Sequence, residues 1–190
     1  TIECEIVSEK NILGTLDYGN IYLRPLMSSS HYSKSLHSYL MRVDYPTGLD
    51  IPPTWEQATE DGYYSKGFLY EYLDIFSLIF RARFFLVSTT HLGENGTPTT
   101  RTLSSFFYGG TPEKQNPWIV KNPEGHAWSD AAGWLDSIKE VPQEKHQILA
   151  LGLQLYHSAL KSVDLDLEQA YITLVSAVEP FLKDFDLSRR

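Results

Sequence analysis

"PQEKHQILALGLQLYHSALKSVDLDLEQAYITLVSAVEPFL", residues 142–182, decides the helical half of this chain. Leu149, Leu153, Tyr156, Leu160 and Val163 recur at spacings of four and three, the signature of one apolar helical face. Proline is tolerated in a first helical turn, so Pro142 starts a helix of about 20 residues. Asp166-Leu167-Glu168-Gln169 then reads as a capping box that opens a last helix. In that helix Ala170, Leu174, Ala177, Val178, Phe181 and Phe185 form the stripe expected to face inward. The short link Ser162–Asp166 makes the two helices antiparallel neighbours. Pro180 lacks an N–H and crowds the carbonyl of Ser176, which predicts a kink or early end at a cost of about 3 kcal/mol in an isolated helix.

Working back from this pair, Ser129 is placed to cap a helix holding Ala132, Trp134, Leu135 and Ile138. Proline and glycine punctuation over residues 110–126 marks a boundary between halves. The half before it is β-rich. Ile2, Cys4 and Ile6 alternate with Glu3 and Glu5, so the apolar three face inward. Residues 11–15 and 20–26 read as short strands around a turn at Asp17–Asn20, and the type of the stretch from Leu36 stays open. Thr54 is placed to cap a short helix. Phe68, Leu69, Tyr72, Leu73, Phe76, Ile79 and Phe80 predict an apolar helix over residues 65–80. Arg83–Leu92 and Thr99–Tyr108, separated by a Gly93–Gly96 turn, predict a hairpin. The fold class is therefore α+β: a β-rich region over residues 1–115 with one or two helices, and a helical region over residues 126–190.

The chain has 190 residues and a net charge of −8. That length is enough to bury a core without disulfide or metal staples. Broad electrostatic binding of nucleic acid needs a basic footprint, which this balance opposes. The dense cationic spots are Arg81/Arg83 and Arg189/Arg190. Aromatic residues make up 13%, suiting a core and sheet faces or else a stacking platform for bases or sugars. One cysteine, Cys4, excludes an intrachain disulfide and suits a reducing cytoplasm. No apolar run approaches the roughly 20 residues of a membrane span.

Motifs that carry chemistry are sparse. His31/His37 and His146/His157 lack the spacing that puts two imidazoles on one helical face, and a single cysteine rules out a cysteine-based zinc site. The chain has no Gly-x-Ser-x-Gly elbow and no phosphate loop. No catalytic residue, metal site or cofactor follows from these patterns. Glu179 lies in the apolar segment Leu174–Leu182, where a carboxylate is costly unless solvated or paired. Two readings stay open: it snorkels or faces solvent, or it turns into the bundle and bonds backbone amides of a neighbouring helix or a cation, for which Arg81 and Arg83 are candidates. These three are the binding candidates.

Residues 127–182 resemble the HEPN superfamily, in particular its ApeA-like branch. The resemblance is carried by Trp128 and Asp130 ahead of a helix, then Tyr156, Ala159 and Leu160. Ala170, Tyr171, Leu174, Val175, Ala177, Val178 and Glu179 carry it on the next helix. It implies a helical bundle behind a β-containing region. The activity it implies is metal-independent RNA cleavage through an Arg-x(4–6)-His motif, with histidine as general acid or base and arginine steadying phosphate charge. That motif would fall beyond Glu179, and no histidine follows His157. Arg24 to His31 matches the spacing, but in the wrong region and at a frequency chance supplies. The final catalytic helix is thus expected to be missing from the chain.

The reading that results is a HEPN-like portion with a recognition or interaction role in an RNA-targeting prokaryotic defence or toxin–antitoxin type system, without its own ribonuclease motif. Its expected partners are a second copy of itself, RNA or a basic protein, with no membrane. Two rivals are a stand-alone acidic interaction or immunity-type protein and an enzyme with a scattered site. A carboxylate beside His91 or His157 in a pocket would favour the latter.

Overall fold

A computed structural model describes residues 1–26, 36–44, 68–91, 99–102 and 126–187. The Thr54 helix cap, most of the second hairpin strand after Thr102, and Phe185's side chain lie outside them.

Among the described residues the β-rich half forms one antiparallel sheet of six strands, in the order β2-β3-β4-β1-β5-β6. The strands are β1 (Ile2–Ser8), β2 (Leu16–Tyr18), β3 (Ile21–Pro25), β4 (His37–Val43), β5 (Phe84–His91) and β6 (Thr99–Thr102). β1 is central and pairs along its length with β4, from Ile2↔Val43 to Ser8↔His37, and with β5. On the β5 side the register shifts between Glu5↔Ser88 and Ile6↔Leu86, so Val87 is the extra residue of a bulge. Ile2, Cys4 and Ile6 are buried as the alternation requires. The turn sits at Gly19-Asn20, the second half of the predicted cluster, with Gly19 at φ +60°, where glycine carries no Cβ penalty. Residues 11–15 are not a strand; Leu13 makes one isolated bridge to Ala127. Leu36 precedes a full strand, β4. The predicted hairpin is β5–β6, paired from Ser88↔Thr102 to His91↔Thr99.

Helix α1 (Phe68–Phe80) follows the predicted apolar helix and lies on the sheet face that buries Cys4, Ile6, Leu23 and Met41. It ends without glycine. Arg81 takes the left-handed conformation at φ +48°, and the Ala82 N–H reaches back to the Ser77 carbonyl at 3.3 Å. That is a Schellman closure, whose left-handed residue costs a non-glycine about 1–2 kcal/mol. On the opposite sheet face Val7, Leu36 and Val87 form a small separate cluster with Phe85.

The helical half comprises α2 (Asp130–Lys139), α3 (Gln143–Ser162) and α4 (Leu167–Leu187). Ser129 sits at the α2 N-cap but makes no side-chain cap bond; Asp130 Oδ2 instead accepts from the Ala127 N–H at 3.0 Å. Asp166 does cap α4, accepting from the Gln169 N–H at 2.9 Å. Pro180 does not end α4, which continues to Leu187. α3 and α4 pack together, and the approach is close: a Cβ at Gly152 would meet the Ala177 carbonyl at 3.2 Å and the Phe181 ring at 2.5 Å.

The inward stripe predicted for α4 needs correction. Ala170 and Ala177 are buried, but Leu174, Val178 and Phe181 are 40%, 48% and 40% exposed. Alanines and Gly152 line the closest approach to α3, and the half-exposed Phe181 ring lies over Gly152. Leu174 and Val178 are turned outward.

Trp128 ties the two halves together. It is fully buried, with its ring centroid 5.1 Å from that of Tyr39, 5.2 Å from that of Phe76 and 5.0 Å from that of Phe80, in near-perpendicular geometry that suits aromatic quadrupoles. Its N–H donates to the Leu13 carbonyl at 2.9 Å, and the Leu13 N–H donates to the His126 carbonyl at 2.9 Å. Among the described residues its indole Nε1 has no hydrogen-bond partner. Trp128→Ala is expected to cost about 3–5 kcal/mol by leaving a cavity against four other rings, and Trp128→Phe clearly less. Urea unfolding followed by far-UV circular dichroism measures both; equal losses would mean that packing at this ring is not what holds the halves together.

Candidate functional site

The densest polar chemistry among the described residues lies where β1, β5, α1 and α3 meet. Arg83 stands directly before the apolar strand Phe84–Val87, so its side chain goes into the protein with the strand. Only 5% of that side chain is exposed. Its Nε donates to Glu9 Oε2 at 2.5 Å, its backbone N–H donates to Glu9 Oε1 at 3.1 Å, and its Nη1 donates to Asp164 Oδ2. Glu9 follows β1 and Asp164 follows α3, so one guanidinium fastens the sheet to the far end of the helix. A planar fork suits two carboxylates at different angles, which an ammonium does less well. Lys10 adds a second clamp, its Nζ donating to the Phe80 carbonyl at 2.6 Å.

One to two turns back along α3, His157 makes the next connection. Its ring is 2% exposed. Nδ1 lies 2.5 Å from Asp74 Oδ1 on α1, and Nε2 lies 2.9 Å from the Phe84 carbonyl and 3.4 Å from the Phe84 N–H. Burial pulls the imidazole pKa below its ordinary value, against the opposing pull of the Asp74 hydrogen bond. Each ring nitrogen stands at hydrogen-bond distance from an acceptor, Nδ1 from the Asp74 carboxylate and Nε2 from the Phe84 carbonyl, and the tautomer decides which of them donates. Both nitrogens face protein groups, so this His–Asp pair bolts three elements together and leaves no nitrogen facing a substrate. A carboxylate does stand beside His157, but not in the form a general base requires.

Asp74 also borders a cleft of about 130 Å³ between α1, α2 and α3, with Glu71, Ile75, Ile138, His146 and Leu149. Pockets for drug-sized ligands run from about 300 to 1,000 Å³, so this cleft suits nothing larger than a small group. His146 Nε2 is 2.7 Å from the Val141 carbonyl. Among the described residues no group of His, Cys, Asp and Glu is arranged to hold a metal ion. Cys4 is buried, its Sγ donating to the Met41 carbonyl at 3.4 Å, and burial pushes its thiol up to about 12, far from nucleophile range.

The three sequence candidates fall in different places. Arg83 is the centre of the buried seam. Arg81, two residues away, forms the left-handed end of α1. Glu179 is exposed on α4, the first of its two readings. Glu9, Asp74, His157 and Asp164 were not singled out as the groups that meet. A buried arginine requires acceptors, but these stand 74 and 81 residues away in sequence, and no spacing rule connects them. Among the described residues no helix is long and apolar enough to cross a membrane.

The other chemical feature is the exposed side of α4. Tyr171, Leu174, Val175, Val178, Phe181 and Leu182 are each 40% to 67% exposed and fall on one side of the helix. Large contiguous apolar patches are rare on monomers and mark interaction surfaces.

No protein-family model, curated protein or solved structure matches this chain.

Two outcomes test the seam. Arg83→Met is expected to destabilise by about 3–5 kcal/mol, because two largely buried carboxylates lose their shared cation; chemical denaturation measures it, and a loss under 1 kcal/mol would make the seam incidental. For His157 the sign follows from its lowered folded pKa. Below about pH 6.5 the unfolded chain takes up a proton that the folded ring refuses, so stability falls as pH drops through that range, by at most about 1.4 kcal/mol per pH unit. His37, also lowered by burial, adds in the same direction. His157→Gln should therefore show a smaller stability loss between pH 7.5 and 5.5 than the parent; an unchanged loss would remove His157 as its source.

Proposed function

We propose that this chain works by presenting a protein-binding surface, as the recognition and interaction portion of a HEPN-like, RNA-targeting defence or toxin–antitoxin type system, without catalysis of its own. The observation that carries the interaction role is the apolar side of α4. Tyr171, Leu174, Val175, Val178 and Leu182 lie outward there, on a helix whose seam with α3 is made by alanines, Gly152 and the Phe181 ring. A helix that packs, among the described residues, on α3 alone and carries a second apolar side is suited to receive another surface. The antiparallel pair α3–α4, led in by Trp128 and Asp130, has the order that the HEPN resemblance implies. The net charge of −8 opposes a direct grip on RNA by the whole surface and favours a protein partner.

An enzymatic reading gains nothing from His157, whose nitrogens face Asp74 and the Phe84 backbone.

The test is Val178→Glu. A side chain 48% exposed tolerates a carboxylate without disturbing the fold. The variant should keep the parent far-UV spectrum and unfold cooperatively at the lowest workable concentration, where mass action has removed any partner. A variant that fails to fold would show that this face is internal packing, and the interaction role would fall.

A further inference from the structure

The geometry assigns the cleft between α1, α2 and α3 as a binding site for a primary alkylammonium group, the chemistry shared by a lysine side chain and a free alkylamine. The site uses no residue of α4 and goes beyond the interaction role proposed above, so its failure leaves that role standing.

The lining follows from helical spacing. Glu71, Asp74 and Ile75 stand at i, i+3 and i+4 on α1. His146, Leu149, Ala150 and Leu153 stand at i, i+3, i+4 and i+7 on α3. Each set occupies one face of its helix, and Ile138 of α2 borders the space between them. The walls are therefore aliphatic, and the polar side chains among them are two carboxylates and one imidazole.

Asp74 carries the argument. Its side chain is 14% exposed, and among the described residues its one hydrogen-bond partner is His157, held by Oδ1. Burial pulls His157 toward its neutral form. A carboxylate withdrawn from water is costly until a cation meets it, and a neutral imidazole supplies none. Oδ2 has no partner among the described residues. A cation in the cleft would meet that need on the side away from His157.

Hydrogen-bond character selects the kind of cation. His146 Nε2 is 2.7 Å from the Val141 carbonyl, which only accepts, so Nε2 carries the proton and Nδ1 of the neutral ring is an acceptor. The carboxylates are acceptors as well. An ammonium has three donors and no acceptor, and its alkyl stem matches the walls of Ile75, Ile138, Leu149 and Leu153. A strongly hydrated metal ion gains nothing from such walls. Size agrees: a 150 Å³ apolar cavity holds benzene, with six heavy atoms, and this cleft of about 130 Å³ suits the five of butylammonium or of a lysine side chain beyond its Cβ.

The experiment titrates the ¹⁵N-labelled full chain with butylammonium chloride and follows assigned amide shifts. Saturable shifts are expected at residues 71–75, 138 and 146–153, with a dissociation constant on the order of millimolar for so small a ligand. Each methylene laid on an aliphatic wall strengthens binding about four-fold, so methylammonium should bind at least 10-fold more weakly. 1-Butanol, of similar shape without the charge, should also bind at least 10-fold more weakly. Butanol binding as tightly as butylammonium, or no saturable shift at these residues, overturns the site. Asp74→Asn keeps the shape and removes the charge, and should lose at least 10-fold in affinity; a folded variant with parent affinity overturns the role of Asp74 and the proposal with it. Should that variant fail to fold, Ala150→Leu decides, because its larger side chain fills the cleft. A folded Ala150→Leu chain that binds butylammonium like the parent overturns the site. The amide-blocked lysine monomer separates the two sources. Binding as tight as butylammonium's supports the site with a partner's lysine as its ligand, and binding by butylammonium alone supports it with a free alkylamine.

Discussion

The structure depends on the placing of Trp128. An indole surrounded by Tyr39 from the sheet, Phe76 and Phe80 from α1 and Phe84 from β5 is possible only if the chain returns from its second half to the first strand pair. The backbone bonds between Leu13 and residues 126 and 128 fix that return at two points. From there α2 has one available direction, across β2, where Tyr18 bonds Asp136 and Lys139 sits 4.2 Å over the Tyr18 ring. The core that results is continuous from Cys4 and Ile6 through Phe76 to Leu135 and Leu153.

The buried ionic seam is the second consequence. Once α3 lies along α1, its far end arrives beside the start of β5, and Arg83, Glu9 and Asp164 find themselves out of water together. Such groups cost more to bury than hydrophobic side chains of equal size, but each fixes a register that apolar contacts leave loose. Arg83 specifies which end of α3 meets β5, and His157 specifies its rotation against Asp74. A helical pair held so firmly on one side is a rigid mount for whatever its other side presents.

That other side is the exposed stripe of α4, and the two features explain each other. Alanines at 159, 170 and 177 and glycine at 152 bring α4 close against α3 and leave room for the Phe181 ring, while Tyr171, Leu174, Val175, Val178 and Leu182 are turned outward. A helix spent in this way contributes little to the core of its own chain. Its sequence is better accounted for by the surface it shows than by the surface it buries, which is why the functional reading rests on it.

Much of this was legible beforehand. Alternation gave Ile2, Cys4 and Ile6 their face; spacing gave α1, α3 and the antiparallel link to α4; the β5–β6 hairpin followed from two runs and a glycine turn. Those features are local, decided by which backbone conformation puts apolar groups on one side. What the sequence alone determined is therefore the class, α+β, and most of its elements. Tertiary structure decided the rest. Periodicity marks Leu174, Val178 and Phe181 as apolar but cannot say which apolar side meets α3, because that depends on how closely two backbones approach. Nor does any spacing bring Glu9 and Asp164 to Arg83, or Asp74 to His157. Those meetings depend on the packing of whole elements around Trp128, and a long-range contact leaves no periodic trace in the residues that make it.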